Sequence, residues 1–147
     1  MIAPMSVFEL DQFLPYRLNV LAARVSRGFA AHYKERFGLS VAEWRVLAHL
    51  SQTDAVSVRD IHLRADLEKS QASRAAARLG EAGLVTKREG EEDRRLISLS
   101  LTGKGRSLME ELIPLAEAYE RDLIATLPEA ERAALDRAIK RLMEAVE

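Results

Sequence analysis

Ser70, Gln71, Ser73, Arg74 and Arg78 lie within a nine-residue stretch and carry the groups that grip and read a nucleic acid duplex. A guanidinium presents a planar fork that fits guanine O6 and N7 or a phosphate, and a carboxamide matches the edge of adenine. Short hydroxyls reach phosphates or base edges. Lys69, beside them, reads either as a phosphate contact or as a charge neutralised by its neighbour Glu68. A solvated helix face with an Arg78–Glu81 pair is the plainer interpretation of the two arginines. A second cluster follows at 89–95, where Asp93, Arg94 and Arg95 stand together after the acidic run Glu91, Glu92. That run repels phosphates unless it is turned away or paired, so Asp93 reads as a brace that holds Arg95 or Arg94 in a defined direction.

The elements that carry these groups are legible from periodicity. At 100° per residue over 67–82, Ala72, Ala75, Ala76 and Leu79 share one side of a helix. Ser70, Gln71, Ser73, Arg74, Ala77 and Arg78 share the other. Before it, Ser57 and Asp60 have the spacing of a helix cap and open a brief helix with Ile61 and Leu63, followed by a tight turn near Ala65 and Asp66. A short helix, a tight turn and a second helix with small buried residues predict a helix-turn-helix. Residues 84–88 and 96–101 are strand-like, and the charged segment between them predicts a hairpin whose tip projects into solvent or against a charged partner. A helix in a major groove beside a basic hairpin reaching a minor groove is a coherent way to hold duplex DNA.

Flanking this middle are longer helices. Leu18, Leu21, Val25, Phe29 and Tyr33 recur at steps of three or four over 14–37, and Gly38 is placed to stop that helix. Ser40 with Glu43 reads as a capping box that opens the next helix, through Trp44, Leu47 and Leu50. A helical region begins at Thr102, with Pro114 inside it, and Pro128 suits the first turn of a last helix bearing Leu135, Ile139, Leu142 and Val146. These apolar stripes exceed what the middle can cover, which predicts that they bury one another in a homodimer. The expected fold is mainly α: a winged helix-turn-helix with a small β-hairpin wing over 38–102. It is flanked by dimerisation helices at 1–37, with a flexible start, and at 103–147.

Composition removes several other classes. The 147 residues contain no cysteine, which excludes disulfide scaffolds, thiolate metal sites and cysteine nucleophiles. No uncharged apolar run approaches the roughly 20 residues of a membrane span, and the first nine residues lack the pattern of a signal peptide, so a cytoplasmic protein is expected. His32, His49 and His62 sit on three different predicted helices without a catalytic or metal-ligand spacing, and no phosphate loop or dinucleotide fingerprint occurs. Neither an enzyme nor a cofactor is expected; a metal site assembled from distant His and carboxylates is disfavoured. The formal net charge is −1, but its distribution is uneven: 1–56 has six basic and five acidic residues, 57–106 eleven and eight, and 107–147 five and ten. The basic excess sits where the two clusters lie.

Over 39–112, and most clearly in EKSQASRAAARLGEAGLVTKREGEEDRRLISLSLTGKG, the chain resembles the MarR family of bacterial winged-helix transcription regulators. The resemblance implies that Arg95 is the minor-groove arginine with Asp93 as its brace, and that Arg94 is a nearby phosphate contact. It also implies recognition-helix roles for Ser70, Gln71, Ser73, Arg74 and Arg78. Glu68 stands where aspartate is common in relatives. The family's habits further imply a homodimer on a palindromic operator, usually as a repressor, released by a small aromatic or phenolic effector. Arg17, Tyr33, Phe37 and Trp44 are the residues whose chemistry suits such an effector, a guanidinium for a carboxylate and aromatics for a ring. The same four also read as ordinary packing where the first two helices join, the interpretation the sequence favours. A rival function is a winged-helix dimer that binds protein instead of DNA. The polar, cationic face of 67–82 disfavours it, because protein-binding faces are richer in aromatic anchors.

Overall fold

The computed structural model describes residues 7–93 and 95–147. A single 3-10 turn, Leu10–Gln12, leads into α1, Leu14–Phe37. Gly38 ends α1 in the left-handed region at φ 67°, with its N–H donating to the Lys34 carbonyl at 3.0 Å. A residue bearing a side chain adopts this conformation only with strain, which is why a glycine stops the helix sharply. α2, Val41–Leu50, starts on Ser40, whose Oγ accepts from the Glu43 N–H at 3.1 Å. β1, Val56–Ser57, runs directly into α3, Val58–Arg64, where Ser57 Oγ accepts from the Arg59 N–H. Asp66, at φ 53°, makes the turn into α4, Lys69–Glu81.

β2, Val85–Glu89, and β3, Ile97–Leu101, form the expected hairpin, each starting one residue later than the sequence pattern suggests. Their register pairs Val85 with Leu101, Lys87 with Leu99 and Glu89 with Ile97. The sheet has a third strand that periodicity does not reveal: β1 pairs antiparallel with β3, Val56 opposite Leu99, giving the order β1-β3-β2. The polar stretch after α2 therefore ends in a strand. Two residues are too few to show a period of two, and their partner lies about forty positions away.

α5, Gly103–Ile124, continues through Pro114, and α6, Glu129–Ala145, follows with Pro128 as its N-cap, one position earlier than the first-turn placement read from sequence. The chain divides into two compact units, Met1–Met109 and Glu110–Glu147, the division falling inside α5. In the first unit the core is built from Val46, Leu47, Ile61, Leu79 and Leu99, all essentially without exposure. α4 packs on α2 and α3 through its alanines, and β2 and β3 extend from the same core. Thr102 fastens the sheet to the start of α5: its Oγ1 donates to the Gly83 carbonyl at 2.6 Å and accepts from the Gly105 N–H at 3.0 Å. Gly105 must be glycine for lack of room, since a Cβ there would lie 2.1 Å from the Leu84 carbonyl oxygen.

Candidate nucleic-acid interface

α4 is two-faced in the way its period demands. Ala72, Ala75, Ala76 and Leu79 are each at most 3% exposed, whereas Lys69, Ser70, Gln71, Ser73, Arg74 and Arg78 are all exposed. The small side chains let the helix lie close to α2 and α3, and that close seat fixes the direction of the outward groups. Neither Arg74 nor Arg78 forms an ion pair among the described residues, so the Arg78–Glu81 pair read as the plainer alternative is not made. Lys69 likewise makes no pair with Glu68.

Gln71 has a second task. Its Oε1 accepts from the Glu68 backbone N–H at 3.1 Å, which caps the first turn of α4. While it caps, one lone pair of the carboxamide oxygen is engaged, and its second lone pair and its NH2 are what it has left for a base. The turn before α4 is held by a residue that sequence reasoning passed over: Arg45 on α2 donates from Nη1 to the Asp66 carbonyl at 3.1 Å. Nothing in the local pattern announces this, because the partners are 21 residues apart.

At the tip of the hairpin, the Gly90 N–H donates to the Leu96 carbonyl at 2.7 Å and the Leu96 N–H to the Asp93 carbonyl at 3.0 Å. The Asp93 carboxylate accepts from the Arg95 backbone N–H at 3.0 Å and from its Nε at 3.4 Å. One oxygen thus holds both ends of the arginine's base while its side chain stays 89% exposed. Of the two arginines that could partner Asp93, the contact observed is with Arg95, and Arg94 lies outside the described residues. Lys87 and Arg88 on β2 are further exposed cations that motif reasoning did not single out.

The four residues suited to a small aromatic ligand do not form one site within the chain. Tyr33 is fully buried, stacked on Phe29 with centroids 5.2 Å apart and set edge-on to Trp44 at 5.8 Å. Phe37, partly exposed, lies under the Arg36 guanidinium. Arg17 is sixteen residues from Tyr33 on the same helix, about 24 Å along its axis at 1.5 Å per residue. It lines a different groove of about 510 Å³ with Leu14, Leu18, Leu21 and Arg24. The Tyr33 hydroxyl has no hydrogen-bond partner among the described residues. Burial raises its pKa above the ordinary 10.0, and the nearby Arg45 charge offsets part of that rise.

Two further observations bear on what the surface can do. Among the described residues no group of His, Asp or Glu is arranged to hold a metal ion, and no helix is long and apolar enough to cross a membrane.

Comparison with known proteins gives this geometry a lineage. Residues 37–96, from the end of α1 to the tip of the hairpin, match the model of the MarR family. A structure of the MarR family transcriptional regulator SPO1453 from Silicibacter pomeroyi is similar over 95% of this chain and 99% of its own, with 28% identity and a TM-score of 0.84. Residues 37–96 are a MarR-family segment, and the fold is that of MarR-family regulators. The HTH-type transcriptional repressor MdtR of Bacillus subtilis is 31% identical over 97 residues, 66% of this chain. The chain spans 63% of the length of MdtR, slightly less than two thirds. A structure of Bordetella bronchiseptica BpsR, whose DNA binding is regulated by 6-hydroxynicotinic acid, has the same fold: 23% identity, a TM-score of 0.75, and coverage of 94% of this chain and 98% of that one. The span matched by the MarR model contains every residue of the α4 face and of the hairpin tip described above, and it excludes Arg17.

Proposed function

We propose that this protein is a cytoplasmic, sequence-specific DNA-binding regulator of the MarR family that works as a homodimer, inserting one α4 per subunit into successive major grooves. The observation that carries the reading is the α4 face itself: Ser70, Gln71, Ser73, Arg74 and Arg78 all outward and unpaired by charge, on a helix whose opposite side is buried to within a few per cent. Arg95, braced by Asp93, enters the neighbouring minor groove or follows the backbone, and Lys69 and Arg94 contact phosphates. We assign 38–102 to DNA binding and the helices of 1–37 and 103–147 to self-association. Supporting that assignment, α1 leaves Leu14, Leu18 and Leu21 exposed, and α6 leaves Leu135, Ile139 and Leu142 exposed, each at 39% or more. Two-fold symmetry then calls for a palindromic operator with half-sites on the order of 10 base pairs apart.

In this reading the output is repression, as for MdtR, and a small aromatic or phenolic effector releases the operator, in the manner BpsR suggests. Within one chain the effector contacts we propose are Tyr33, Phe37 and Trp44, with Arg17 left out because it sits on the distant groove. No catalytic role is assigned to any residue.

Selection of duplexes from a random pool tests the reading directly, followed by titration of the enriched duplex at several salt concentrations. A preferred palindrome is expected, with log affinity falling linearly in log salt at a slope of about −0.9 per phosphate neutralised. No enrichment of any duplex by the correctly associated protein refutes the reading. Capture of a protein partner with little salt dependence supports the interaction-module alternative instead.

A further inference from the structure

Between the start of α2 and the outward side of α4 lies a groove of about 320 Å³, lined by Ser40, Glu43, Gln71, Arg74 and Arg78 together with two alanines. Glu43, at 7% exposure, is the one buried charged side chain among the described residues. Its backbone N–H is taken by Ser40 Oγ, but no donor among the described residues reaches its carboxylate. Helix capping does not explain the charge. At the third position of a helix a neutral glutamine completes a cap as well as glutamate does. The positive end of α2 favours a negative charge there, and the carboxylate oxygens, which are not sealed from water, open on the groove. Two guanidiniums without carboxylate partners line the same groove.

We propose that Glu43 is a positioning residue that aims the Arg74 and Arg78 guanidiniums when DNA is bound; this rests on the DNA-binding reading above. Each guanidinium has five N–H donors in a rigid fork, enough to give one edge to a carboxylate and another to a base. In the free protein, water fills the groove and screens the charges. A duplex laid over α4 expels that water, and the attraction between carboxylate and guanidinium strengthens as the local dielectric falls. The same negative charge repels phosphate. It therefore holds the arginines toward base edges instead of letting them swing to the backbone, and Glu43 contributes to sequence discrimination without touching a base.

The test uses the full-length protein, the duplex that the wild type enriches from a random pool, and a scrambled duplex of equal length and composition. Glu43→Gln keeps the cap and the shape and removes the charge. The expected result is a loss of about tenfold in affinity for the enriched duplex, as for other charge-assisted contacts, with affinity for the scrambled duplex unchanged or raised. In an Arg74→Ala or Arg78→Ala background, the loss on adding Glu43→Gln is expected to shrink to below about threefold for at least one of the two. A merely structural role would instead lower the thermal midpoint and weaken both duplexes alike. Equal losses on the two duplexes, no loss at all, or full additivity with both arginine variants overturns the proposal while leaving the DNA-binding reading intact. A wild-type protein that enriches no duplex overturns both.

Discussion

Replacing Tyr33 by phenylalanine removes a single oxygen and leaves every ring contact in place. The ring lies parallel to Phe29 within 9° and edge-on to Trp44 at 78°, and phenylalanine reproduces both arrangements. The hydroxyl is buried and unpartnered among the described residues, and a polar group in that position costs about 1–3 kcal/mol relative to one that is satisfied. Deleting it recovers this cost, less a few tenths of a kcal/mol for an oxygen-sized void at about 24 cal/mol per Å³. Tyr33→Phe is therefore expected to be more stable by about 1–2 kcal/mol in urea unfolding near neutral pH. For a chain of this length that corresponds to a rise of roughly 3–6 °C in the thermal midpoint, compared at one protein concentration because the proposed dimer makes the midpoint depend on it.

The pH dependence provides an independent check. Burial raises the folded-state pKa of Tyr33 above 10.0, so the folded chain holds its phenolic proton at a pH where the unfolded chain releases it. The unfolded state then binds fewer protons, and the wild type loses stability as the pH rises from about 10 toward the raised folded value. Phenylalanine lacks this proton. The stability gap between variant and wild type is expected to be flat below pH 10 and to widen above it. A variant less stable than the wild type by 1 kcal/mol or more, or a gap that does not widen in alkali, refutes the claim that this hydroxyl is buried without a partner.

Three further outcomes follow from the geometry of the interface. Arg74→Ala is expected to cost roughly 1–3 kcal/mol of affinity for the enriched duplex and to relax its sequence preference at one position, measured by fluorescence anisotropy at fixed salt; unchanged affinity and preference remove Arg74 from a reading role. Asp93→Ala frees the exposed Arg95 side chain, and since surface pairs contribute about 0–1 kcal/mol, the thermal midpoint should move little while DNA affinity falls several-fold. A large loss of stability would instead make the Asp93–Arg95 contact a structural one. Gly105→Ala drives a Cβ to 2.1 Å from the Leu84 carbonyl oxygen, a backbone atom that cannot swing aside, and a destabilisation of about 3 kcal/mol or more is expected in urea unfolding. A midpoint equal to that of the wild type would show that the start of α5 shifts at little cost.

Features that depend on neighbours along the chain are readable from residue order alone. Helix period separated Ala72, Ala75, Ala76 and Leu79 from Ser70, Gln71, Ser73, Arg74 and Arg78, because side-chain direction in a helix is set every 100° whatever the helix packs against. Gly38 and Ser40 marked a stop and a start through backbone conformation and a three-residue hydrogen bond, both local effects. The hairpin was legible from its charged tip, and Asp93 and Arg95 are close enough in sequence for their contact to be foreseen. Even the separation of Arg17 from Tyr33 was available as helix arithmetic once α1 was granted, although the chemistry of the residues suggested a shared pocket.

How distant segments meet is a matter of packing in three dimensions. β1 exists because Val56 finds Leu99, Arg45 reaches the Asp66 carbonyl across 21 residues, and Glu43 is buried in a groove whose other wall is α4. None of these leaves a periodic mark, since each depends on packing that closes a loop between segments far apart in the chain. Gln71 illustrates the boundary between the two. Its place on the outward face was set by the helix, but the direction of its carboxamide oxygen was settled by an unsatisfied N–H at the helix start.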